Sequence, residues 1–349
     1  MFFASDNTGP THPAVQSALI EADSGHVRSY GADPIMDDVR ARLRTLFEAP
    51  EAAAYLVATG TAANVLGLST LMRPWQTIFC TPLAHINVDE CHAPEFYTGG
   101  AKLTLVGPGD KMTPDTLTAA INRYGLGDVH TSQRGPVEIT QVTEMGRIYT
   151  LDELAALTAV ARAHGLPTFM DGARFANACA ALGCTPAEMS WKVGIDALSF
   201  GGTKNGCMGV EAVIFFDPKH AWEFELRRKR GAHLFSKHRY LSAQMQGYLT
   251  DDLWLQTARA ANANAARLAE GLARVPGLTF VEDPQANMIF ATLPRRAHQH
   301  LLGNGAVYGL WGPLEGDPDE VLMMRLVCDW SISQAQIDEF LTLAYALSD

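Results

Sequence analysis

Two short apolar segments that end at glycine constrain the fold of this chain more than any other feature. One runs from Leu166 to Asp171 before Gly172, and the other leads through Gly201-Gly202-Thr203 to Lys204. A buried strand that breaks at glycine delivers the next polar side chain to the carboxyl edge of a sheet, where α/β proteins build their sites. We therefore expect these two segments to aim a carboxylate and an amine at one ligand.

The combination of Asp171 and Lys204 predicts a particular cofactor. Pyridoxal 5′-phosphate (PLP) has a ring nitrogen that stays protonated only beside an anion, and an aldehyde that a lysine amine holds covalently. An acid and an amine at one sheet edge meet both requirements.

Composition and charge exclude several classes of protein. The 349 residues suggest one large domain and a smaller one, and the formal charge of −11 argues against a nucleic-acid partner. No segment approaches the roughly 20 apolar residues of a membrane helix, and the first residues do not resemble a signal peptide. The six cysteines show no CxxC spacing, which favours reduced thiols. We expect a cytoplasmic protein with no membrane partner and no bound metal.

The order of the predicted elements indicates an α/β fold. Helical and strand-like segments alternate over residues 13–215, which is typical of a mostly parallel sheet with helices on both faces. The residues from Leu151 to His164 predict a helix that ends at Gly165, with Pro167 beyond it. A long alanine-rich helix over residues 253–275 predicts a bridge to a second unit, and short strands follow it, among them Val321 to Val327. We expect a large domain over residues 1–250 and a small C-terminal α+β domain over residues 251–349.

A phosphate site is predicted at the start of one helix. Thr59-Gly60-Thr61 follows a predicted strand and opens a helix, whose first amides lack intrahelical partners and carry partial positive charge. Gly60 and Thr61 therefore suit a phosphate dianion. An ordinary helix cap gives the same pattern, so the motif is informative only together with Asp171 and Lys204.

Two histidines allow three interpretations. His85 and His92 enclose Asp89 and Glu90, and the i, i+4, i+7 spacing on one helix would suit a metal ion. Alternatively, the His85 ring stacks on the PLP ring as a lid and places a titratable group beside the β-hydroxyl of a substrate. A third interpretation is a histidine that only packs or caps.

Two arginines are candidates for binding a carboxylate. Arg174 follows Asp171 by three residues, and Arg325 interrupts the apolar segment from Leu322 to Val327. A buried guanidinium needs an anionic partner, which is either a substrate carboxylate held by two hydrogen bonds or an acidic side chain of the protein.

Taken together, these motifs resemble the threonine aldolase branch of the fold-type-I PLP enzymes, a group that also contains β-eliminating lyases. The resemblance rests on Ser5-Asp6-Asn7, Tyr30-Gly31-Ala32-Asp33-Pro34, Thr59 to Asn64, His85 to Glu90, Asp171-Gly172-Ala173-Arg174, Lys204 and Arg325. The segment from His233 to Lys237 is similar to the shorter, low-specificity bacterial subgroup. One departure is Gln141-Val142-Thr143-Glu144-Met145, where the family usually has Glu-Asn-Thr-His-Asn.

The resemblance implies a fold-type-I, PLP-dependent transferase-like architecture and a role for each matching residue. Lys204 would bind the cofactor aldehyde, Asp171 the pyridine nitrogen, and His85 would stack on the ring, with His130 as a second catalytic histidine. The implied cofactor-binding residues also include Gly60, Thr61, Arg174 and Lys237. The implied substrate-binding residues are Ser5, Tyr30, Arg174 and Arg325.

The implied reaction is cleavage of β-hydroxy-α-amino acids such as threonine, allo-threonine or phenylserine to glycine and an aldehyde. The base is left open among His85, His130 and a water molecule. The resemblance further implies a homo-oligomer, a tetramer built of catalytic dimers. Two alternatives remain, a β-eliminating lyase on the same scaffold and a noncatalytic PLP-binding protein.

Overall fold

A seven-stranded sheet forms the centre of the larger part of the molecule, in a computed structural model that describes residues 1–125 and 127–346. Its strands are β1 (Ala53–Val57), β2 (Gln76–Cys80), β3 (Lys102–Leu105), β4 (Gln133–Thr140), β5 (Thr168–Gly172), β6 (Ala197–Gly201) and β7 (Glu211–Phe215). The strand order is β1-β7-β6-β5-β4-β2-β3, and β7 is antiparallel to both of its neighbours. The other paired strands run parallel, as the sequence predicts.

Helices cover both faces of this sheet. The helices that precede the long bridging helix are α1 (Pro13–Ala22), α2 (Pro34–Leu46), α3 (Gly60–Thr70), α4 (His85–Val88), α5 (Ala93–Thr98), α6 (Pro114–Ile121), α7 (Leu151–Ala163), α8 (Phe175–Leu182), α9 (Ala221–Arg230) and α10 (Arg239–Leu249). Alternate strand residues enter two separate cores. Phe169 packs with α3 on one face, whereas Met170 packs in the larger core on the other face.

A second, antiparallel sheet follows the bridging helix. Its strands are β8 (Thr279–Phe280), β9 (Met288–Pro294), β10 (Gly309–Trp311) and β11 (Val321–Val327), in the order β10-β11-β9-β8. The helices are α11 (Leu253–Leu272), α12 (Arg295–Gly303) and α13 (Gln334–Tyr345). None of the helices in the described part of the chain is long and apolar enough to cross a membrane.

The bridging helix α11 belongs to both parts. Leu253 and Trp254 at its start pack in the core of the large sheet, and Leu268 and Leu272 near its end pack in the core of the small sheet. Phe3 also packs in the core of the small sheet, although residues 1–250 were expected to form the large domain. The last three residues of the expected small domain lie outside the described part.

Several sequence-based boundaries match closely for identifiable reasons. The helix predicted from Leu151 to His164 is α7, which begins with a capping box at Thr150 and ends before Gly165, whose φ is +68°. The predicted strand from Val321 to Val327 is β11. Helix α12, in contrast, had no prediction, because polar residues make up most of its first two turns.

The parallel strands place the candidate residues at one edge of the large sheet. Asp171 lies at the end of β5, and Lys204 follows the end of β6, which pairs with β5 through Asp171 and Ser199. The glycines are required by close packing, since a Cβ at Gly172 would collide with the carbonyl oxygen of Ser199. The strand-glycine pattern therefore lets two strands end side by side.

Candidate active site

Asp171 is a buried carboxylate whose position is fixed by two hydrogen bonds. Its Oδ2 accepts from Asn64 Nδ2 at 2.8 Å, and its Oδ1 accepts from the backbone N of Ala173 at 2.9 Å. Each carboxylate oxygen has a second lone pair, so Asp171 can still accept a hydrogen bond from a protonated ring nitrogen.

Lys204 lies in a short 3₁₀ turn, Thr203–Asn205, directly after β6. Burial lowers the pKa of its amine, and the positive charge of Arg174 lowers it further, while Asp6, Asp171 and Glu211 oppose this shift. A lowered pKa enlarges the neutral fraction of the amine, which is the form that attacks an aldehyde.

The first turn of α3 is open for an anion. Thr59 caps the helix, with its side chain accepting from Ala62 N at 3.2 Å and its carbonyl from Ala63 N at 3.1 Å. The amides of Gly60 and Thr61 have no hydrogen-bond acceptor within the described chain. Apart from its chain neighbours and the backbone of its own helix, no atom of the described residues lies within 4 Å of the position that a Cβ on Gly60 would occupy. This arrangement suits a phosphate group.

His85 begins α4 and is held at two points. Its backbone N donates to Glu144 Oε1 at 2.8 Å, and its ring Nδ1 lies 2.8 Å from Glu90 Oε1. The hydrogen bond with Glu90 raises the pKa of His85, partly offset by burial and supported by the charge of Asp171. Burial and the charge of Asp171 also raise the pKa of Glu144 to about 7.

The structure does not provide the helical face that a His85–His92 metal site requires. Helix α4 ends at Val88, and His92 precedes α5 with its exposed ring beside Glu95. Candidate ligand atoms of His85, Glu90 and Asp171 do lie within 4.8 Å of one another. Hydrogen bonds from Asn64 and His85 account for their proximity.

Arg174 is paired within the protein. Its Nε donates to Asp6 Oδ2 at 2.6 Å and its Nη2 to Asp6 Oδ1 at 2.9 Å, and Asn287 also donates to Asp6 Oδ2 at 3.0 Å. Burial alone would raise the pKa of Asp6, but the charges of Arg174 and Lys204 lower it overall. The ion pair with Asp6 uses two of the five N–H groups of Arg174. Its contact with a substrate carboxylate stays a prediction.

Arg325, unlike Arg174, has no acidic partner among the described residues. Its Nη2 donates to the carbonyl oxygen of Ala4 at 3.1 Å, next to Ser5, and its buried Nε has no hydrogen-bond partner in the described chain. No carboxylate of the described residues lies within 4.0 Å of its guanidinium. Burial and the charge of Arg174 lower the pKa of Arg325. The guanidinium can therefore bind an anionic ligand without breaking an ion pair within the described chain.

The structure does not bring His130 to this site within one chain. Strand β4 begins at Gln133 and ends at Thr140, where it pairs with Asp171, so its ends are about 23 Å apart at a strand rise of about 3.3 Å per residue. His130 is an exposed residue at the far end. The two residues between it and Gln133, Thr131 and Ser132, cannot span that distance.

Tyr30 and Lys237 also lie on the surface of the chain. Tyr30 is 47% exposed, its backbone N donates to Ser236 at 3.1 Å, and the ammonium of Lys229 lies 4.9 Å from its ring centroid. Lys237 is exposed between α9 and α10. Neither side chain forms a hydrogen bond with Asp171 or Lys204 in the described structure.

Three residues of the site had no predicted role. Asn64 joins Asp171 to Glu90, Glu90 holds the ring of His85, and Glu144 holds its backbone. The sequence does contain a signal for Asn64, because this polar residue follows two alanines in a mostly apolar helix. Every residue from Ala62 to Thr70 is buried, so a polar side chain there needs hydrogen-bond partners.

Known proteins resemble this chain over most of its length. A family described as β-eliminating lyase matches residues 3–294. A low-specificity L-threonine aldolase of Pseudomonas sp. (strain NCIMB 10558) is 40% identical over 339 residues, which cover 97% of this chain and 95% of the relative. The structure of the threonine aldolase of Leishmania major superposes with a TM-score of 0.93 at 25% identity, covering 100% of this chain and 99% of that one.

The fold is shared more widely. The serine palmitoyltransferase of Sphingomonas wittichii superposes with a TM-score of 0.73 at 18% identity, over 99% of this chain and 86% of that one. These likenesses confirm the predicted fold-type-I architecture.

Proposed function

Because the chain belongs to the β-eliminating lyase family and has low-specificity L-threonine aldolases among its relatives, we propose that it is a PLP-dependent aldolase. Its substrates are β-hydroxy-α-amino acids such as threonine, allo-threonine and phenylserine, and its products are glycine and an aldehyde. The observation that carries the proposal is that Asp171 and Lys204 lie at or just after the ends of paired neighbouring strands, which brings a buried carboxylate and a buried amine to one edge of the sheet.

The side chains present fit the cofactor. Asp171 has lone pairs left for the pyridine nitrogen, the free amides of Gly60 and Thr61 suit the phosphate, and the Lys204 amine has a lowered pKa. When bound, PLP supplies an aldehyde that condenses with amines and a conjugated ring that accepts an electron pair from a bond at Cα.

The choice of bond depends on how the substrate is held. Ser5 and Arg325 bind the substrate carboxylate, because Arg325 has a buried Nε without a partner in the described chain and lies beside the backbone of Ala4 and Ser5. Fixing the carboxylate orients Cα and its substituents, which is the main contribution of such a clamp to the rate. Arg174 supports this side indirectly by holding Asp6.

His85 supplies the proton acceptor. Its ring is held by Glu90, and the same region of the site contains the Asp171 carboxylate. A base at the β-hydroxyl favours Cα–Cβ cleavage, because removal of the hydroxyl proton allows the carbonyl of the departing aldehyde to form.

A product assay separates this proposal from β-elimination on the same scaffold. Purified protein with PLP is incubated with threonine, allo-threonine, phenylserine and serine, and glycine, aldehyde, keto acid and ammonia are measured. We expect equal amounts of glycine and aldehyde from the first three. Keto acid and ammonia as the main products would favour the β-eliminating lyase, and no turnover of any substrate would favour a noncatalytic binding protein.

We further propose that the protein is a cytoplasmic homo-oligomer, a tetramer of catalytic dimers. Tyr30 and Lys237 support this proposal, since both were expected at the site and both lie on the exposed surface of the single chain. A neighbouring copy is a natural source of a phosphate-binding lysine. Sedimentation equilibrium gives the mass directly, and a monomer with full activity would contradict the proposal.

A further inference from the structure

A continuous series of buried hydrogen bonds joins Asp171 to His85. Asn64 Nδ2 lies 2.8 Å from Asp171 Oδ2 and 3.0 Å from Glu90 Oε1, and Glu90 Oε1 lies 2.8 Å from His85 Nδ1. The Glu90 side chain is completely buried. Glu90 is thus placed between the cofactor-binding carboxylate and the candidate base.

The donors in this series have one consistent assignment. Gly172 N donates to Ser199 Oγ at 3.1 Å, so the Ser199 hydroxyl is free to donate to Asn64 Oδ1 at 3.2 Å. The Asn64 amide then gives one hydrogen to Asp171 and the other to Glu90. Since a carboxylate can only accept, His85 Nδ1 must carry the hydrogen that it shares with Glu90.

This assignment determines which ring nitrogen of His85 is available. In the neutral imidazole, a hydrogen on Nδ1 leaves Nε2 as the acceptor. Nε2 lies 3.4 Å from Asp89 Oδ2, whose side chain is 78% exposed. The backbone of His85 is meanwhile fixed by Glu144. The ring therefore turns Nε2 away from the buried carboxylates.

We propose that Glu90 is a positioning residue that holds the His85 ring in one orientation and one tautomer, so that Nε2 takes the β-hydroxyl proton. This inference rests on the proposed aldol cleavage. The O–H bond breaks with its proton going to Nε2, the oxygen lone pair forms the aldehyde C=O bond, and the Cα–Cβ electron pair stays with Cα. A buried carboxylate has the same relation to histidine in hydrolytic triads.

The charges around His85 come from several elements. Glu90 and Asp89 follow α4, Glu144 follows β4, Asp171 ends β5, and Lys204 follows β6. The Glu90 hydrogen bond is the main cause of the raised pKa of His85, with burial and Lys204 opposing it and Asp171 adding to it. Removing the charge of Glu90 should therefore weaken His85 as a base.

The test is Glu90→Gln in the holoenzyme, which keeps the size of the side chain and an oxygen acceptor. Hydrogen–deuterium exchange at the imidazole C2 carbon, measured by mass spectrometry between pH 5 and 9 without substrate, gives the pKa of each histidine. We expect the pKa of His85 to fall below its wild-type value. We also expect kcat for threonine cleavage to fall about 10- to 100-fold with little change in KM, and the acidic limb of the kcat profile to shift to lower pH.

Two further variants serve as controls. Glu95→Gln removes the acidic neighbour of the exposed His92 and should leave the pKa of His85 unchanged. Asp89→Asn removes the exposed acid beside Nε2 and should shift the pKa of His85 less than Glu90→Gln does. A His85 pKa unchanged in Glu90→Gln, or moved at least as much in Asp89→Asn, would overturn the proposal.

The exchange measurement remains informative if Glu90→Gln folds poorly or if the proposed function is wrong. Glu90→Asp keeps the charge with a shorter reach, so we expect a His85 pKa and a kcat between those of wild type and Glu90→Ala; values no better than those of Glu90→Ala would count against the proposal. Failure of the aldolase proposal would appear as keto acid in the product assay of wild-type protein, whereas failure of the Glu90 proposal would appear in the exchange data.

Discussion

The two sides of the site differ in how fully their polar groups are paired before any ligand binds. On the ring side, defined by Asp171, Asn64, Glu90 and His85, hydrogen bonds link each residue to the next. On the carboxylate side, defined by Arg325 with Ala4 and Ser5, the guanidinium makes a single hydrogen bond to a carbonyl oxygen. The buried Nε of Arg325 has no partner among residues 1–125 and 127–346.

The proposed function gives the two sides different tasks, which match this difference in pairing. The ring side must hold a cofactor in one orientation through every turnover, and prearranged hydrogen bonds avoid reorganisation during the reaction. The carboxylate side must bind and release a substrate, so an anion-binding group that the protein does not saturate is an advantage. Arg174 illustrates the contrast, because the buried carboxylate of Asp6 already holds two of its N–H groups before any ligand binds.

The largest expected effect lies on the ring side, in Asp171→Asn. The asparagine can keep the hydrogen bond with Asn64 but not the negative charge that keeps the ring nitrogen protonated. We expect the cofactor to stay bound and kcat to fall about 10²- to 10³-fold, the usual cost of losing one prearranged electrostatic group. Absorbance of the bound cofactor and steady-state kinetics measure the two properties. Activity close to wild type would mean that the ring side does not depend on this charge.

A smaller effect is expected on the carboxylate side, in Arg325→Lys. Losing one charge-assisted hydrogen bond costs roughly 1.5–3 kcal/mol, which corresponds to a KM increase of about 10- to 100-fold for threonine. The matched variant is Arg174→Lys, which should mainly lower the thermal stability because it disrupts the buried pair with Asp6. If Arg174→Lys raised KM more than Arg325→Lys, the assignment of the two arginines would have to be exchanged.

The smallest effect concerns Glu144, which holds the backbone of the ring side. Its pKa is about 7 in the folded protein against 4.5 ordinarily, so the folded state retains a proton between pH 4.5 and 7 that the unfolded state has lost. Stability from this group is therefore complete below pH 4.5 and is lost as pH rises through 7. Glu144→Gln, which still accepts from His85 N, should raise Tm relative to wild type at pH 8.5 by an amount on the order of 2 °C. The gain should shrink at pH 5, and a gain that is equal at both pH values would contradict the assigned pKa shift.

Much of the fold follows from local sequence patterns. Alternating helices and strands predicted the mostly parallel sheet, and the helical segment from Leu151 with Gly165 and Pro167 at its end predicted α7 almost to the residue. The strand-glycine segments predicted that Asp171 and Lys204 would meet at one edge. Such patterns are reliable because hydrophobic period, caps and glycine breaks act over only a few residues.

Other assignments depended on distances that local patterns do not contain. His130 was matched by position along the chain, yet β4 carries it to the opposite edge of the sheet. The helical face that the metal interpretation of His85 and His92 required is absent because α4 ends at Val88. In both cases the sequence gives the number of residues between two positions, but it does not give the direction of the backbone between them.

The sequence by itself determined which residue types end the strands at the site, and therefore the acid, the amine and the cofactor that they suit. Only the tertiary structure decided that Arg174 pairs with Asp6, whereas the buried Nε of Arg325 has no partner in the described chain. It also decided that Asn64 connects Asp171 to Glu90, two residues far from it along the chain. The physical reason is that pairing of buried polar groups depends on strand order and packing, which bring together residues 26 to 168 positions apart in these pairs.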